Sequence, residues 1–254
     1  MTRVIKIGGR PQTDPRLGEA ILAGWRGDEA GLVLVHGGGD EVTALQAAFG
    51  EPSKFVDGRR VTSARDIDFV RMALSGSANK RLVSLLVGSG IHAVGLSGED
   101  AALIGASPVD AERLGYVGIP NTVNVAFLRH LLSGGYLPVV SPVSRAGSGG
   151  LSGALNVNGD DAAAAIAIAL GAAELLLVAD VPGVLCDGKV IPTLTPDEAR
   201  NAIASGTAIG GMRAKLEAGL RAIDGGVACV RISDLAAIAD GGRGTTLRRI
   251  GDLT

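Results

Sequence analysis

The sequence predicts an α/β protein built on a mostly parallel central sheet with helices on both faces. Strand-like and helix-like segments alternate along all 254 residues. The strands are continuous apolar runs such as Leu32-Val33-Leu34-Val35 and Leu175-Leu176-Leu177-Val178, which suits strands covered on both sides. Three of them run into glycine turns carrying a polar residue: Lys6-Ile7-Gly8-Gly9, His36-Gly37-Gly38-Gly39 and Gly95-Leu96-Ser97-Gly98. Ligands of such sheets bind at the carboxyl ends of the strands, where these turns lie.

The elements follow in order. A strand at 4–7 leads to a helix over 17–27, and a strand at 32–35 to a helix over 41–49. A longer helical segment, 64–74, continues past Gly76 into 79–87 and ends at Gly88-Ser89-Gly90, before a strand at 93–96. A helix over 125–133, a strand at 137–140, a helix over 161–170 and a strand at 175–178 come next. Helices over 196–205 and 212–224 and a strand at 228–232 complete the chain. The glycine- and serine-rich stretch from Arg145 to Gly153 is a flexible connector, and a lobe boundary is placed near it.

Composition narrows the function. Hydrophobic residues make up 46% and aromatics only 3%, so Val, Leu, Ile and Ala fill the core. A chain of this size buries roughly 70–75% of its unfolded surface. A net charge of −2 argues against a nucleic-acid or polybasic membrane surface. Cys186 and Cys229 are isolated, with no metal-ligand spacing, which fits a reducing cytoplasm. The apolar stretch 162–179 is broken by Gly171 and Glu174 and reads as a buried helix and strand, not a membrane span. The expectation is a cytoplasmic protein without a signal peptide.

Lys6 is the most informative residue. An ammonium inside an apolar strand needs an anion or carboxylate opposite it, because burying it alone costs several kcal/mol or more. The neighbouring glycines let backbone N–H groups approach an anion closely. A surface lysine at a strand end is the alternative, and two further glycine-ended strands with a second lysine motif favour the anion site. That second motif is Ile209-Gly210-Gly211-Met212-Arg213-Ala214-Lys215, a glycine pair opening a helix. A lysine there opposes the helix dipole unless a phosphate binds between them. Asn156-Val157-Asn158-Gly159-Asp160 places three polar residues on one side of an extended segment, while Asp160 or Asp161 could instead cap the following helix. The strand ending in Asp180-Val181-Pro182-Gly183-Val184-Leu185 offers a wall for a nucleotide.

Several signatures are absent. No Walker-type G-x-x-x-x-G-K-[ST] and no G-x-S-x-G elbow occurs. The Gly88-Ser89-Gly90-Ile91-His92-Ala93 run follows a helix and precedes a strand, so it is a helix C-cap, not a dinucleotide fingerprint. His36, His92 and His130 are scattered, and His36 reads as a packed structural histidine.

Taken together, the ordered motifs Lys6-Ile7-Gly8-Gly9, His36 to Gly39, Gly58-Arg59-Arg60-Val61-Thr62, Asn79-Lys80, Gly95 to Asp100, Asn156 to Asp160, Asp180 to Gly183 and Gly211 to Lys215 resemble the amino acid kinase family. The resemblance spans nearly the whole chain. It implies an open three-layer α/β/α sandwich of two lobes in one domain, with residues 1–153 binding an acyl amino acid and 154–254 binding ATP. The implied reaction is ATP-dependent phosphorylation of the γ-carboxylate of N-acetyl-L-glutamate, in arginine biosynthesis. Lys6 and Lys215 would flank the transferring phosphoryl group, with Asp160 holding both ammonium groups. Gly38, Gly39, Arg60 and Asn156 would bind the acyl amino acid, Arg60 by forking onto its α-carboxylate. Gly8, Gly9, Asp180, Val181, Gly183, Val184, Leu185, Thr207, Ala208 and Ile209 would bind ATP. No protein ligand set for a metal is apparent, so Mg²⁺ would be held mainly by phosphates and water.

The resemblance also implies partners: a small acyl amino acid and ATP, no nucleic acid, no membrane, and a second copy in a homodimer. The first strand begins at Val4, without the extra amino-terminal helix of arginine-inhibited hexameric relatives, so arginine feedback is not expected. Another N-acyl glutamate, or glutamate or aminoadipate on a carrier protein, is the alternative substrate, although the segment 99–110 is poor in Lys and Arg. A non-catalytic ligand sensor on the same fold is the alternative from another class. Gly159 stands where the family motif usually has alanine.

Overall fold

The structure is a computed structural model that describes residues 2–25, 31–56, 58–147 and 153–249. Its strands are β1 (Arg3–Ile7), β2 (Leu32–His36), β3 (Phe55–Val56), β4 (Arg59–Arg60), β5 (Ala93–Gly98), β6 (Ile104–Pro108), β7 (Val117–Val123) and β8 (Leu137–Ala146). They continue with β9 (Ala154–Val157), β10 (Glu174–Val178), β11 (Leu185–Cys186), β12 (Lys189–Val190), β13 (Thr193–Leu194), β14 (Cys229–Ser233) and β15 (Thr245–Leu247). The helices are α1 (Leu17–Gly24), α2 (Gly39–Ala48), α3 (Asp66–Val70), α4 (Asn79–Gly88), α5 (Val125–Ser133), α6 (Gly159–Leu170), α7 (Pro196–Ala204) and α8 (Gly210–Asp224). A π-helical stretch, Arg71–Ala78, joins α3 to α4 without a break, so the two helical runs expected around Gly76 form one rod.

Eleven strands form one sheet in the order β13-β15-β14-β10-β1-β2-β8-β6-β7-β9, with β5 also on β8. The β14–β10–β1–β2–β8 centre is parallel, as expected, while β6–β7, β8–β9 and β14–β15 are antiparallel. β1 sits where the chain order reverses, between β2 and β10, so the crevice at its carboxyl end is the expected ligand position. The sheet runs on across the lobe boundary placed near residue 153. Residues 148–152 of the expected connector lie outside the described residues. Its flanks pair as antiparallel strands, Arg145 opposite Ala154.

Strand parity decides what faces the site. Val4, Val33, Val35, Leu175 and Leu177 pack with α6 and α8 in one core, whereas Ile5, Ile7, Leu34, Leu176 and Val178 pack with α1 and α4 in the other. Successive side chains point to opposite faces, so Lys6 shares the face of Val4 and looks toward α6. Fully buried alanines at 162, 163 and 167 let α6 lie close on that face. Asn158 caps α6, its side chain accepting from the Asp160 N–H at 2.8 Å, and Gly171 ends the helix in a left-handed conformation. The expected extended run through 156, 158 and 160 is therefore corrected. Only Asn156 lies on a strand; Asn158 is the cap and Asp160 stands in the first helical turn, because the cap closes the helix two residues earlier than the aspartates suggested.

Candidate active site

Asp160 is the centre of the site. Its buried carboxylate faces Lys6 Nζ at 2.9 Å from Oδ1 and Lys215 Nζ at 3.4 Å from Oδ2. Lys6 approaches Oδ1 at an angle outside hydrogen-bond geometry, so that contact is an ion pair only. Burial by itself would push the Asp160 carboxyl up, but the charges of Lys6 and Lys215 outweigh it and hold the group below the usual carboxylate range. Burial, then the charge of Lys6, pulls the Lys215 ammonium below its usual value, against the attraction of Asp160. Both lysines are almost buried, at 9% and 12% side-chain exposure, which rules out the solvated-surface alternative for them.

Gly8 leaves the space that the Lys6 ammonium occupies, so a larger residue there would displace that ammonium. A Cβ there would stand 2.5 Å from Lys6 Nζ, because the lysine folds back over its own turn. At Gly159 a Cβ would stand 3.1 Å from Lys6 Cε, a tight contact that the flexible lysine could accommodate, so glycine gives the side chain extra room.

Two clefts border these residues and a third adjoins the second. One, of about 220 Å³, is lined by Gly38, Gly39, Arg60, Asn156, Gly159 and Leu74, among others. A second, of about 350 Å³, is lined by Lys6, Gly8, Gly9, Asp180, Gly211 and Lys215, and a third, of about 530 Å³ and mostly apolar, by Val181, Gly183, Val184, Leu185 and Thr207 to Ile209. The last two share Val181 and Met212 and so form one continuous trough. α8 opens on the second cleft with no side chain capping its first N–H groups, which leaves an anion-binding end beside two ammonium groups. The trough thus fits a nucleotide: apolar walls for a base, then lysines and free amides for phosphates. Among the described residues no cluster of three or more His, Cys, Asp or Glu could hold a metal ion.

Arg60 sits beside the first cleft with its guanidinium already engaged. Nη1 donates to Gln46 Oε1 at 2.7 Å and to the Ser53 hydroxyl, and Nη2 donates to Gly39 O and Thr43 Oγ1, each at 2.8 Å. The Phe55 ring lies 4.8 Å away beneath it. Asn156 on β9 donates to Thr62 Oγ1 at 3.0 Å. Gly38, at φ 142°, opens α2 where a Cβ would strike Leu74 at 2.7 Å, so only glycine shapes this floor.

Other motif residues are scaffolding. Asp100 closes its turn by accepting from Ser97 N–H and Ser97 Oγ, and Asn79 Nδ2 donates to Val139 O. His36 is fully buried, as the packed reading expected. Its Nδ1 lies 2.8 Å from Gly37 O, which can only accept, so Nδ1 carries the proton and Nε2 accepts from Asn79 Nδ2 at 3.1 Å. Burial lowers its pKa to about 4. Unfolded His36 takes up a proton near its ordinary value of about 6.5, whereas the folded chain does so only near 4, so stability is lost as pH falls through that window. Going from pH 7 to 4.5 is expected to remove about 2 kcal/mol. Urea unfolding of wild type and His36→Asn across these pH values checks it; equal pH slopes in both would refute it.

Some residues of the site escaped the sequence reading. Leu74, Met212 and the α7 side chains Glu198 and Asn201 line the clefts, and Asp161 was read only as a possible cap. For Arg59 and Asp161 the available signal was their place in the adjacent pairs Arg59-Arg60 and Asp160-Asp161, and Glu198 and Asn201 had none.

Comparison with known proteins shows the family and the fold. Residues 1–234 match the family model described as the amino acid kinase family. The chain is 45% identical over 241 residues to an acetylglutamate kinase of Chloroflexus aurantiacus, covering 94% of each chain, and 40% identical over 256 residues to that of Rubrobacter xylanophilus, covering 98% of each. A crystal structure from Streptococcus mutans UA159 superposes with a TM-score of 0.84 at 27% identity, over 97% of this chain and 98% of the other.

Proposed function

The chain belongs to the amino acid kinase family, and we propose that it transfers the γ-phosphoryl group of ATP to the γ-carboxylate of N-acetyl-L-glutamate, giving N-acetyl-L-glutamate 5-phosphate in arginine biosynthesis. The observation that carries the chemistry is the Lys6–Asp160–Lys215 triad, whose two lysines line the 350 Å³ cleft. A γ-carboxylate is an anion at neutral pH and needs no general base. One of its oxygens attacks the γ-phosphorus, the bond from phosphorus to the β-bridging oxygen breaks, and ADP leaves with that electron pair. The barrier lies in bringing two anions together, so placement and charge relief are what the chain must supply. Lys6 and Lys215 give that relief, and Asp160 fixes both ammonium groups against mutual repulsion. Mg²⁺, held by the phosphates, would supply further neutralisation.

The 220 Å³ cleft suits the acyl amino acid, with Arg60 lending positive charge to the α-carboxylate side and Asn156 an amide to the acyl side. Gly8, Gly9 and the start of α8 suit the phosphates, and the apolar trough suits adenine. No described helix is long and apolar enough to cross a membrane. The reading for assembly is a homodimer; Met72 and Val87 stand exposed on the rod formed by α3, the π-helical stretch and α4, and light scattering at twice 25.5 kDa is the check.

Hydroxylamine converts an acyl phosphate to a hydroxamate. With this protein, hydroxamate is expected only when N-acetyl-L-glutamate, ATP and Mg²⁺ are all present. Parallel reactions with N-succinylglutamate and free glutamate grade the acyl preference. ATP turnover with free glutamate but not with the acetylated form would overturn the assignment.

A further inference from the structure

The first turn of α6 carries a second buried carboxylate that the reaction as described does not use. Asp161 has only 4% of its side chain exposed, yet it meets two guanidinium groups from opposite sides of the site. Arg59 Nη2 donates to Oδ2 at 3.4 Å, and Arg221 Nη2 pairs with Oδ1. Arg59 precedes Arg60 on β4, in the small β3–β4 hairpin beside the acceptor cleft. Arg221 lies on α8, which also carries Lys215. Adjacent aspartates therefore make two parallel links: Asp160 ties β1 to α8, and Asp161 ties the β3–β4 hairpin to α8.

Arg60 pins the hairpin to α2 through Gly39, Thr43 and Gln46, whereas the Arg59–Asp161 contact ties it to α6 and, through Arg221, to α8. β3 and β4 have two residues each and pair only with each other, outside the main sheet. Phe55 is largely exposed. A two-stranded ribbon of this size is not stable alone, so its position depends on what it touches. Arg59 Nη1 is buried with no hydrogen-bond partner among the described residues, and its Nη2 contact is long, so Asp161 leaves the Arg59 guanidinium only partly satisfied.

We propose that Asp161 is a positioning residue for the reaction: through Arg59 and Arg221 it sets the hairpin beside the acyl amino acid in register with the helix that carries the phosphoryl-site lysine. The proposal rests on the kinase reading above. The Arg59–Asp161 link acts on acceptor binding and not on the nucleotide trough, because Arg59 lines only the acceptor cleft among the three.

The test is a double-mutant cycle with Asp161→Asn, Arg59→Met and the double variant. KM for N-acetyl-L-glutamate, KM for ATP and the thermal midpoint are measured for each, with hydrogen exchange of residues 55–61 followed in the absence of substrates. Each single variant is expected to raise KM for N-acetyl-L-glutamate about tenfold, and the double variant no further than Asp161→Asn alone, since each breaks the Arg59–Asp161 contact and only Asp161→Asn also frees Arg221. KM for ATP should stay within about twofold, and the hairpin amides should exchange faster while those of β1 and β10 do not. Arg59→Lys, which keeps the charge, should recover part of the KM. A lowered melting point with unchanged KM and unchanged hairpin exchange would make the bridge structural only and overturn the proposal, as would additive effects. If Asp161→Asn fails to fold, Arg59→Met, changed at a side chain 26% exposed, decides alone. A wild-type protein inactive on N-acetyl-L-glutamate would instead refute the functional reading, and the exchange data would still decide whether the bridge holds the hairpin.

Discussion

Lys215→Ala is expected to depress kcat by about 100–1,000-fold with a much smaller change in KM for the acyl amino acid. The lysine lines the phosphate cleft, not the acceptor cleft, and its ammonium is held against Asp160 at the uncapped start of α8. On the proposed reaction a charge in that place meets the phosphoryl group, whose charge shifts during transfer, so its interaction is stronger in the transition state than in the ground state. Arg60 should behave differently. On the proposed reading its charge serves a carboxylate that does not react, so Arg60→Ala should mainly raise KM. Arg60→Lys should recover little, because one ammonium cannot meet Gln46 and Ser53 on one side and Gly39 and Thr43 on the other. Steady-state kinetics with circular dichroism as a folding control separate the two residues. A folded Lys215→Ala enzyme with wild-type kcat would remove Lys215 from the phosphoryl site.

How far such residues can be read from sequence depends on how much they break local rules. Lys6 was legible because an ammonium in an apolar strand demands a partner, and strand parity then pointed it to the α6 face. The central parallel strands were legible for the same reason of continuous burial. β8 extends six residues past the predicted end because Ser141, Pro142 and Ser144 are polar or strand-breaking by type yet buried in place. β6 and β7 were missed because Gly105, Pro108, Gly118 and Pro120 interrupt their pattern, and tertiary pairing overrides propensity there. The β3–β4 hairpin is too short to leave a periodic signal. Arg60 entered only through the family resemblance, as a fork onto a carboxylate, and its four internal acceptors come from Gln46, Ser53, Gly39 and Thr43, a set that only the fold assembles. Asp161 was hidden by the ordinary habit of aspartates at helix starts.

Asp160→Asn should have the other large effect, and its signature is in pH dependence. Asp160 is the only carboxylate paired with the two ammonium groups among the described ion pairs. Breaking a buried ion pair by removing one partner costs about 3–5 kcal/mol, because the remaining charge is left uncompensated. Here two charges would be left. The system can relieve this by releasing a proton from one lysine. Lys215 is the candidate, since burial and the charge of Lys6 already lower its proton affinity and Asp160 is the leading opposing influence. With the carboxylate gone, that opposition is lost and the lysine deprotonates at lower pH than in the wild type. The lysine must be protonated to stabilise the phosphoryl charge, so the alkaline limb of the kcat profile should move to lower pH. The residual activity of Asp160→Asn should therefore be greatest on the acid side of the wild-type optimum, and kcat at the wild-type optimum should fall by about 100-fold or more. A full kcat–pH profile at saturating ATP and N-acetyl-L-glutamate measures both. An unshifted alkaline limb together with near-wild-type kcat would mean that Asp160 does not hold the ammonium pair during turnover.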